Sequence, residues 1–395
     1  MVKVSPDQAT TDEAHMRRCL ELARPHAGRT APNPIVGCVI VDARGRVIAE
    51  GAHAGPGTPH AEIIALTKLG MKATGATLYT NLEPCNHTGR TPPCAPVVRA
   101  SGVARVVIGT ADPIREHAGG SALLRRAKIR VTTGVLAAAC ERANLGFFRA
   151  ASGRPAYTLK AAMTLDGKIA TVGGNSKWIT GEAARADVLQ LRNTHDAVMV
   201  GIGTVLADDP WLTCHAVAGF RDPHRIVLDS KLRTPPDARL LAKLGKLPKR
   251  VRARTIVLCG PAAPAAREKA LVAAGAEVIR TRTHASGAID LHAVGRVLAQ
   301  QDLQSILVEG GGQVHAYMLD KDLVDQLVLY MAPLAVGGPA KSWVGGAGRA
   351  SLAKAWRFTF DDVVARLGAD FRFTAVPTPR KESPQDDASF YMWDD

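Results

Sequence analysis

Aromatic side chains are scarce in this sequence. Phe, Trp and Tyr make up only 5% of the 395 residues, although the chain carries a net charge of +14. Proteins that bind single-stranded nucleic acid stack its bases on aromatic rings that lie among basic residues. The densest basic run, Lys243 to Arg254, contains no aromatic residue. We therefore interpret it as a solvated loop and expect no nucleic-acid partner, whereas the positive charge suits a small phosphorylated substrate.

The sequence also lacks the features of a membrane or secreted protein. No uninterrupted apolar stretch approaches the roughly 18 residues of a membrane-spanning helix. The segment from Met1 to Glu13 is polar and acidic and does not resemble a signal peptide. The seven cysteines are odd in number and irregularly spaced, so they form no recognisable disulfide framework. These absences predict a cytoplasmic protein without membrane association.

The length and the pattern of the chain predict an α/β protein with more than one domain. At 395 residues, two or three domains are expected. Short apolar runs alternate with helical patterns in both halves, which indicates sheets covered by helices. Glycine and proline between Asn144 and Pro155 mark a boundary. We therefore predict domains at 1–149 and 150–378, followed by a charged and loose tail at 379–395.

Two helix starts are predicted from capping patterns. Thr10 and Glu13 have the spacing of a capping box at the start of the first helix. Thr180 is predicted to cap a helix that runs to about Leu191. A helix is also expected to begin at His60, and another is expected over Cys94 to Ala100.

The strongest chemical signal lies between His60 and Cys94. His60, Cys85 and Cys94 offer one imidazole and two thiols, which can hold zinc at three corners of a tetrahedron and leave one corner open for water. Glu62 follows His60 too closely to be a comfortable fourth ligand, but it is well placed to move protons. The pattern is that of zinc-dependent deaminases. The alternative is a structural zinc site with His87 as the fourth ligand; the His-x-Glu pattern and the proline before each cysteine favour the catalytic interpretation.

Two glycine-rich segments follow predicted strands in the second half. Gly201-Ile202-Gly203-Thr204 is the first, and Gly310-Gly311-Gly312-Gln313, which precedes a predicted helix, is the second. Glycine lets the backbone approach a phosphate closely, and a helix start offers free N–H donors. Neither segment is a full G-x-G-x-x-G, and no acidic residue follows at Rossmann spacing. Each segment is therefore a tight turn or a nucleotide site, and the second is the candidate diphosphate cradle.

Longer segments resemble the bifunctional riboflavin-biosynthesis deaminase–reductase family. The similar segments of the first half are Met16-Arg17-Arg18, Pro32 to Gly37, Pro59 to Glu62 and Pro84 to Cys94. Those of the second half are Met163 to Ala170, Ser176 to Thr180, Val200 to Pro210 and Glu309 to Gly311. The resemblance runs from about Met16 to about Phe373. It implies a cytidine-deaminase-like three-layer α/β/α domain followed by a dihydrofolate-reductase-like α/β domain.

This resemblance implies a bifunctional enzyme that uses zinc and NADPH. The first step would hydrolyse the 2-amino group of 2,5-diamino-6-(5-phosphoribosylamino)pyrimidin-4-one to a carbonyl. The second would reduce the ribosyl group of the product to a ribityl chain. The resemblance also implies a homo-oligomer. The alternative is a zinc deaminase of another base or of nucleic acid, with a C-terminal half that only binds; it predicts RNA or DNA affinity that falls steeply with salt.

The resemblance also assigns residues to the two sites. Positions that match cofactor contacts are Ala162, Trp178, Thr204, Asp208, Ser230, Gly311, Gly312, Gln313, Val314 and His315. Positions assigned to substrates are Asn33 and His53 in the first half and Ser176, Arg192, Leu212, His215 and Glu309 in the second. Lys160 or Lys168 would pair with a phosphate or with negative charge on the sugar oxygen. Several of these residues have structural alternatives: Asn33 as a turn residue, Trp178 as core, Asp208 as a turn cap and Arg192 as a helix-end cation.

Two departures from the family pattern affect the substrate sites. His215 stands where the family usually has an arginine, and an imidazole lacks the bidentate fork of a guanidinium. Arg221 or Arg225 is therefore expected to compensate. The family's Asp-Pro-Asn-Pro is here Asp112-Pro113-Ile114-Arg115, which removes an amide expected near the deaminase substrate.

Overall fold

The computed structural model describes residues 6–89, 91–214, 221–242, 253–361 and 363–378. The chain divides into two compact units, Met1–Ser152 and Gly153–Asp395. The stretch from Asn144 to Pro155, where the sequence predicts the domain boundary, contains a helix over Leu145–Ala150. The break between the units follows Ser152, within this stretch and after that helix.

The N-terminal unit is built on a five-stranded sheet. Its helices are α1 (Pro6–Ala23), α2 (Ala61–Thr67), α3 (Cys94–Ala100), α4 (Gly120–Arg126), α5 (Ala137–Ala143) and α6 (Leu145–Ala150). Its strands are β1 (Gly37–Val41), β2 (Val47–Ala52), β3 (Thr77–Leu82), β4 (Arg105–Thr110) and β5 (Arg130–Thr133). The strand order is β2-β1-β3-β4-β5, with β3, β4 and β5 parallel and β1 antiparallel to both neighbours.

Helices cover both faces of this sheet, because its strands are apolar on both sides. Cys38 and Ile40 of β1 pack with residues of α2, α3 and α4 on one face. Val39 and Val41, which alternate with them, pack with α1 and α5 on the other. Side chains of a strand point alternately to opposite faces, so this division follows from a period of two. The predicted three-layer α/β/α arrangement is confirmed.

The C-terminal unit has a larger sheet. Its strands are β6 (Ala156–Thr164), β7 (Ala197–Gly201), β8 (His224–Leu228), β9 (Thr255–Cys259), β10 (Glu277–Arg280), β11 (Ser305–Val308), β12 (Gln326–Ala332), β13 (Phe358–Phe360), β14 (Ala365–Leu367) and β15 (Asp370–Pro377). Its helices are α7 (Glu182–Thr194), α8 (Ile202–Asp208), α9 (Ala265–Ala273), α10 (Leu291–Ala299) and α11 (Gly312–Asp320).

Most strands of this second sheet are parallel. The order is β10-β9-β8-β7-β11-β6-β12-β15-β13, with β14 paired to β15. From β10 to β12 every pair of neighbouring strands is parallel. Strand β15 lies next to β12 and pairs antiparallel with both β12 and β13. The carboxyl ends of the parallel strands therefore meet along one edge, where ligands of open α/β sheets bind.

Three local predictions were wrong. Helix α1 begins at Pro6, so Thr10 lies inside the helix instead of capping it. Proline is well suited to the first helical turn, because the donor it lacks has no partner there. Helix α7 begins at Glu182 with Gly181 as its N-cap residue, so Thr180 lies one position before the capping position. Of the two alternatives for the segment from Gly201 to Thr204, the tight turn is wrong, because α8 begins at Ile202. Among the described residues, no helix is both long and apolar enough to span a membrane.

Candidate active sites

The three predicted zinc ligands converge in the N-terminal unit. The ligand atoms of His60, Cys85 and Cys94 all lie within 4.8 Å of one another. His60 Nδ1 is 3.1 Å from Cys94 Sγ and 3.6 Å from Cys85 Sγ. His60 is the residue just before α2, Cys94 is the first residue of α3, and Cys85 follows β3. This donor set, one nitrogen and two sulfurs, fits zinc.

The two thiols are electrostatically linked. A hydrogen bond from the Cys94 thiol, opposed by burial and aided by His60, lowers the pKa of Cys85 to about 4. The same thiol–thiol hydrogen bond and burial raise the pKa of Cys94. The backbone N–H of Cys94 also donates to Cys85 Sγ, at 3.3 Å. One of the two cysteines is therefore a thiolate before metal binds, and a bound cation would favour the thiolate form of both cysteines.

His60 is oriented by a neighbouring hydroxyl. Its Nε2 lies 3.2 Å from Thr91 Oγ1, on the far side of the ring from the two sulfurs. A contact of this kind holds a metal-binding imidazole in one tautomer, with Nδ1 left for the metal.

His87 is not part of the ligand group. Among the described residues, the metal-ligating atoms that cluster are those of His60, Cys85 and Cys94 alone. The His87 ring stacks on His117 with a centroid distance of 3.7 Å. This geometry disfavours a structural zinc site with His87 as the fourth ligand.

Glu62 is buried beside the ligand group. It lies in the first turn of α2 and is 3% exposed. Burial raises the pKa of the Glu62 carboxyl to about 7. Helix α2 lies close against β2 because Gly51 carries no side chain: a Cβ there would come within 2.2 Å of the Ala61 carbonyl oxygen. The close packing fixes the start of α2, and with it His60 and Glu62.

The structure brings Asn33 and His53 together. Asn33 Nδ2 lies 3.1 Å from His53 Nε2. His53 Nδ1 lies 3.2 Å from the Pro59 carbonyl oxygen, which only accepts, so Nδ1 carries the proton and Nε2 accepts from Asn33. Burial lowers the pKa of His53, which keeps this neutral form. The His53 and His60 ring centroids are 5.2 Å apart, so the pair borders the metal ligands.

Two buried asparagines that the sequence did not identify hold the segment that carries Asn33. Asn144 Oδ1 accepts from the Ile35 backbone N–H at 2.8 Å, and Asn81 Oδ1 accepts from that of Gly37 at 2.8 Å. Both amides also donate to the Ile35 carbonyl oxygen. No sequence signal separates these asparagines from ordinary turn residues. Ile114, at the position of the missing amide, packs against the core.

A second candidate site lies in the C-terminal unit, at the carboxyl edge of the parallel sheet. It is a cleft of about 580 Å³. Predicted residues that line it are Lys160, Ala162, Ser176, Trp178, Arg192, Thr204, Asp208, Leu212, Glu309, Gly311 and His315. Trp178 is 71% exposed at the cleft, so it is not a core residue. The Ser176 hydroxyl donates to Asp208 Oδ1 at 3.3 Å.

A buried ion-pair network forms one wall of the cleft. Glu309 Oε1 accepts from Arg192 Nε at 2.6 Å and Glu309 Oε2 from Arg192 Nη2 at 3.0 Å, while Lys160 Nζ lies 3.4 Å from Oε2. Burial raises the pKa of Glu309, but the two cations outweigh it and lower the value to about 2. Arg192 also donates to the Thr213 carbonyl oxygen, at 2.9 Å. Arg192 is therefore a buried partner of Glu309 and not a solvated helix-end cation.

His315 presents an unpaired nitrogen atom at the same cleft. Its Nδ1 donates to the Trp343 carbonyl oxygen at 2.7 Å, while Nε2 is buried without a hydrogen-bond partner. Burial lowers the pKa of His315 to about 4, so Nε2 is an acceptor at neutral pH. Gly312 admits no side chain, because a Cβ would lie 2.4 Å from the Ser342 carbonyl oxygen. The bare glycine backbone and the unpaired acceptor fit a polar ligand such as a dinucleotide.

Other predicted residues lie outside this cleft. Ser230 lines a separate cavity. The Val314 side chain is 2% exposed and packs in the core, and Gln313 is exposed on α11. The backbone of Lys168 forms an isolated β-bridge with that of Ser342, and Lys168 does not line the cleft. His215 lies outside the described residues.

Neither arginine expected to compensate for His215 reaches the cleft. Arg225 is near the amino end of β8, at the opposite edge of the sheet, and donates to the Ala253 carbonyl oxygen. Arg221 donates to Asp196, just before β7, at the same opposite edge. The expectation fails because proximity in sequence to Leu212 does not fix which edge of a parallel sheet a residue occupies.

Several residues that line the cleft were not predicted from the sequence. Arg185 and Leu189 lie on α7, two turns and one turn before Arg192, respectively. Their spacing of four and then three residues places all three on one helical face, a signal that could have identified them. The Arg185 guanidinium lies 4.4 Å from the centroid of a Trp178 ring.

Comparisons with known proteins agree with the two sites. The model of the cytidine and deoxycytidylate deaminase zinc-binding region matches residues 9–110, and that of the RibD C-terminal domain matches residues 155–365. The riboflavin biosynthesis protein RibD of Bacillus amyloliquefaciens is 39% identical over 376 residues, 94% of this chain and 98% of the relative.

Solved structures extend the similarity to the whole architecture. RibD of Acinetobacter baumannii aligns with a TM-score of 0.79 and 35% identity over 94% of this chain and all of that one. A diaminohydroxyphosphoribosylaminopyrimidine deaminase/5-amino-6-(5-phosphoribosylamino)uracil reductase from Thermotoga maritima aligns with a TM-score of 0.78 and 34% identity, over 94% of this chain and 99% of that one. The chain therefore belongs to the RibD family of riboflavin biosynthesis proteins.

Proposed function

We propose that this chain performs two consecutive steps of riboflavin biosynthesis. The first is hydrolytic deamination of 2,5-diamino-6-(5-phosphoribosylamino)pyrimidin-4(3H)-one. The second is reduction of the ribosyl group of 5-amino-6-(5-phosphoribosylamino)uracil to a ribityl group, with NADPH as the reductant. The observation that carries the proposal is the pairing, in one chain, of three zinc donors beside a buried glutamate with a separate cleft that fits a dinucleotide.

In the N-terminal unit, His60, Cys85 and Cys94 would hold the zinc ion. When bound, zinc supplies a Lewis acid that makes water nucleophilic at neutral pH. Glu62 accepts a proton from the attacking water and delivers it to the ring nitrogen. It then moves the remaining hydroxyl proton to the amine, which leaves as ammonia while the carbonyl forms. Asn33, held by His53, presents its amide oxygen to the edge of the pyrimidine.

In the C-terminal unit, the cleft holds both the cofactor and the sugar phosphate. Bound NADPH supplies a hydride for the sugar carbon that carries the amine. Lys160 stabilises the negative charge that develops on the sugar oxygen as the ring opens, and Glu309 holds the Lys160 ammonium in place. Lys160 is preferred to Lys168 because only Lys160 lines the cleft. Trp178 and Asp208 border the cofactor side, and Ser176 lies within reach of Asp208.

A coupled assay with the purified protein tests this proposal. The diaminopyrimidine substrate is supplied with zinc and NADPH, and both ammonia release and NADPH oxidation are followed. We expect ammonia first and NADPH oxidation after it, because the second step needs the product of the first. Ammonia release without NADPH oxidation, also when the deaminated product is supplied, would support the alternative of a deaminase with a non-catalytic C-terminal half.

The setting of the activity is also part of the proposal. All seven cysteines are free thiols, which suits the reducing cytoplasm. Two small-molecule sites and an aromatic content of 5% suit a phosphorylated pyrimidine better than nucleic acid. We also expect a homo-oligomer, as the family resemblance implies. Light scattering of the purified protein measures its assembly, and titration with labelled RNA at low salt measures nucleic-acid binding.

A further inference from the structure

The lining of the cleft carries more positive than negative charge. Its cations are Lys160, Lys177, Arg185 and Arg192, and its carboxylates are Asp208 and Glu309. Four cations against two carboxylates leave a surplus of two positive charges among the described lining residues. The substrate of the proposed reduction carries a phosphate monoester, whose charge is about −1.5 to −2 at pH 7. The surplus matches this phosphate, and the partners that each cation already has decide which cation can bind it.

Two of the four cations are committed to Glu309. Arg192 directs Nε and Nη2 to the two oxygens of the Glu309 carboxylate, at 2.6 and 3.0 Å. Its Nη1 donates to the Thr213 carbonyl oxygen at 2.9 Å. Lys160 Nζ lies 3.4 Å from the same carboxylate. The edge of the Arg192 guanidinium that would hold a phosphate therefore already holds a carboxylate.

Arg185 is half-buried in the lining of the cleft and has no anionic partner. Its Nη1 donates to the Thr180 carbonyl oxygen at 2.7 Å, and its guanidinium carbon lies 4.4 Å from the centroid of a Trp178 ring. Both partners are uncharged, and no carboxylate of the described residues forms an ion pair with Arg185. Nε and Nη2, the two donors that bind an oxyanion side by side, remain for a ligand.

Lys177 is the remaining cation of the lining. Its side chain is exposed on the segment before α7, so solvent and salt screen its charge. Its ammonium is a point charge on a flexible stem and lacks the planar fork of a guanidinium. Arg185 is therefore the better phosphate ligand of the two.

The position of Arg185 suits a phosphate at the far end of the sugar. Arg185 and Arg192 lie on one face of α7, and at 1.5 Å per residue their separation along the helix is about 10 Å. Arg192 and Lys160 meet at Glu309, where the proposed reduction takes place at the first sugar carbon. The phosphate is on the fifth sugar carbon, so the chain can extend from Lys160 towards Arg185. The cofactor has phosphate-binding backbone of its own at Gly312.

We propose that Arg185 binds the phosphate of the reductase substrate and thereby replaces the arginine that this chain lacks at His215. The inference rests on the proposed reductase function and makes Arg185 a determinant of specificity for a phosphorylated sugar. The contacts with Thr180 and Trp178 hold the guanidinium before the substrate arrives, so binding loses little side-chain entropy. Arg192 then serves to hold Glu309 in place.

Reduction of two forms of the substrate tests this assignment. One is 5-amino-6-(5-phosphoribosylamino)uracil, and the other is the same compound without its phosphate. The kcat and KM of each are measured with the full-length protein at saturating NADPH, and the KM for NADPH is measured separately. The variants are Arg185→Ala and Arg185→Lys, and the control is Arg296→Ala, which removes an exposed arginine of α10 outside the cleft. Alanine is a good helix former, so α7 is retained.

We expect Arg185→Ala to raise the KM for the phosphorylated substrate by about 10- to 100-fold, the usual range for a lost hydrogen bond to a charged group. The dephosphorylated substrate and NADPH should keep their wild-type KM values, and Arg296→Ala should behave as wild type. Arg185→Lys keeps the charge without the fork and should restore part of the affinity.

Two results would overturn the assignment. If Arg185→Ala impairs both forms of the substrate equally, Arg185 acts by supporting Trp178 and not by binding the phosphate. If only the KM for NADPH rises, Arg185 binds a phosphate of the cofactor. Calorimetric titration with ribose 5-phosphate and with ribose checks the same point without turnover. Arg185→Ala should weaken ribose 5-phosphate and leave ribose unchanged.

Failure of this inference can be told from failure of the proposed function. A wild-type protein that reduces both forms of the substrate equally well is a reductase without phosphate recognition, which overturns the inference alone. A protein that reduces neither form overturns the proposed reductase function, and the inference with it.

Discussion

The two sites are encoded in different ways. The zinc donors of the N-terminal unit lie between His60 and Cys94 and come from two helix starts and one strand end. The cleft of the C-terminal unit collects residues from Lys160 to His315, on strands and helices far apart in sequence. A short motif therefore specifies the first site, whereas the order of strands in a parallel sheet assembles the second.

The sites also differ in how charge is balanced. In the first site, two sulfur donors and one nitrogen donor converge, and Cys85 favours the thiolate form. A bound cation compensates this negative charge. In the second, Glu309 is enclosed by two cations that the protein itself supplies. The first site thus needs a metal for its electrostatics, whereas the second neutralises its buried carboxylate with the protein's own cations.

The largest expected effect separates the two activities. Glu62→Gln should lower deamination by about 10²- to 10⁴-fold, the usual contribution of a general acid–base. Zinc content and reduction of the deaminated substrate should stay unchanged, because Glu62 is not a ligand. Ammonia release, elemental analysis and NADPH oxidation measure these quantities. Glu21→Gln, on the exposed surface of α1, is the matched control; loss of zinc in Glu62→Gln would show that the ligand set is wrong.

The next effect tests the ion-pair network of the second site. Glu309→Gln leaves Arg192 and Lys160 buried without their carboxylate, so the C-terminal unit should lose about 3–5 kcal/mol of unfolding free energy. Reduction should be lost and ammonia release retained. Urea unfolding measures the stability. Glu268→Gln breaks the more exposed pair with Arg280 and should cost much less, because solvent screens that pair. Equal losses in the two variants would contradict the role given to the Glu309 network.

A smaller effect concerns pH and the C-terminal unit. Burial, together with nearby Arg254, lowers the pKa of His224 to about 4, from an ordinary value of 6.5. The folded state therefore favours the neutral ring, and its stabilisation is complete above pH 6.5 and is lost as pH falls towards 4. The loss should reach about 2–3 kcal/mol.

Unfolding by urea between pH 7.5 and 4 measures this loss. His224→Asn should flatten the acid slope, because an amide oxygen can accept the Arg254 N–H without titrating. His292→Asn, on the exposed side of α10, should leave the slope unchanged. An identical slope in His224→Asn and wild type would exclude His224 as its source.

The smallest effect lies in the substrate side of the first site. His53→Ala removes the acceptor that orients the Asn33 amide, so the KM of deamination should rise by about 3- to 10-fold while kcat changes little. His53→Gln keeps an acceptor and should restore part of the affinity. Zinc content should be the same in both variants. A fall in kcat with unchanged KM would place His53 in the chemical step instead.

The sequence predicted the first site well because its chemistry is local. The residue types and spacing of His60, Cys85 and Cys94 already indicate the donor set, Glu62 is buried beside it, and the helix over Cys94–Ala100 has the predicted bounds. The predicted sheets also follow from local signals, because strands such as Thr255–Cys259 are short apolar runs.

Prediction failed where tertiary structure decides. Arg221 and Arg225 are near Leu212 in sequence but lie at the wrong edge of the sheet. Conversely, Arg267 joins Lys231 only because β9 lies next to β8. The asparagines that hold Ile35 were missed for the same reason. Strand order is a long-range property, and no local pattern determines it.

Removal of zinc tests the central claim, two chemically separate sites in one chain, most directly. The protein is depleted of metal with a chelator and assayed with each substrate in turn. We predict that ammonia release from the diaminopyrimidine stops and returns on addition of zinc, while NADPH oxidation with the deaminated substrate continues at the rate of the zinc-loaded protein. Ammonia release that persists without metal, or NADPH oxidation that stops with it, would contradict the account.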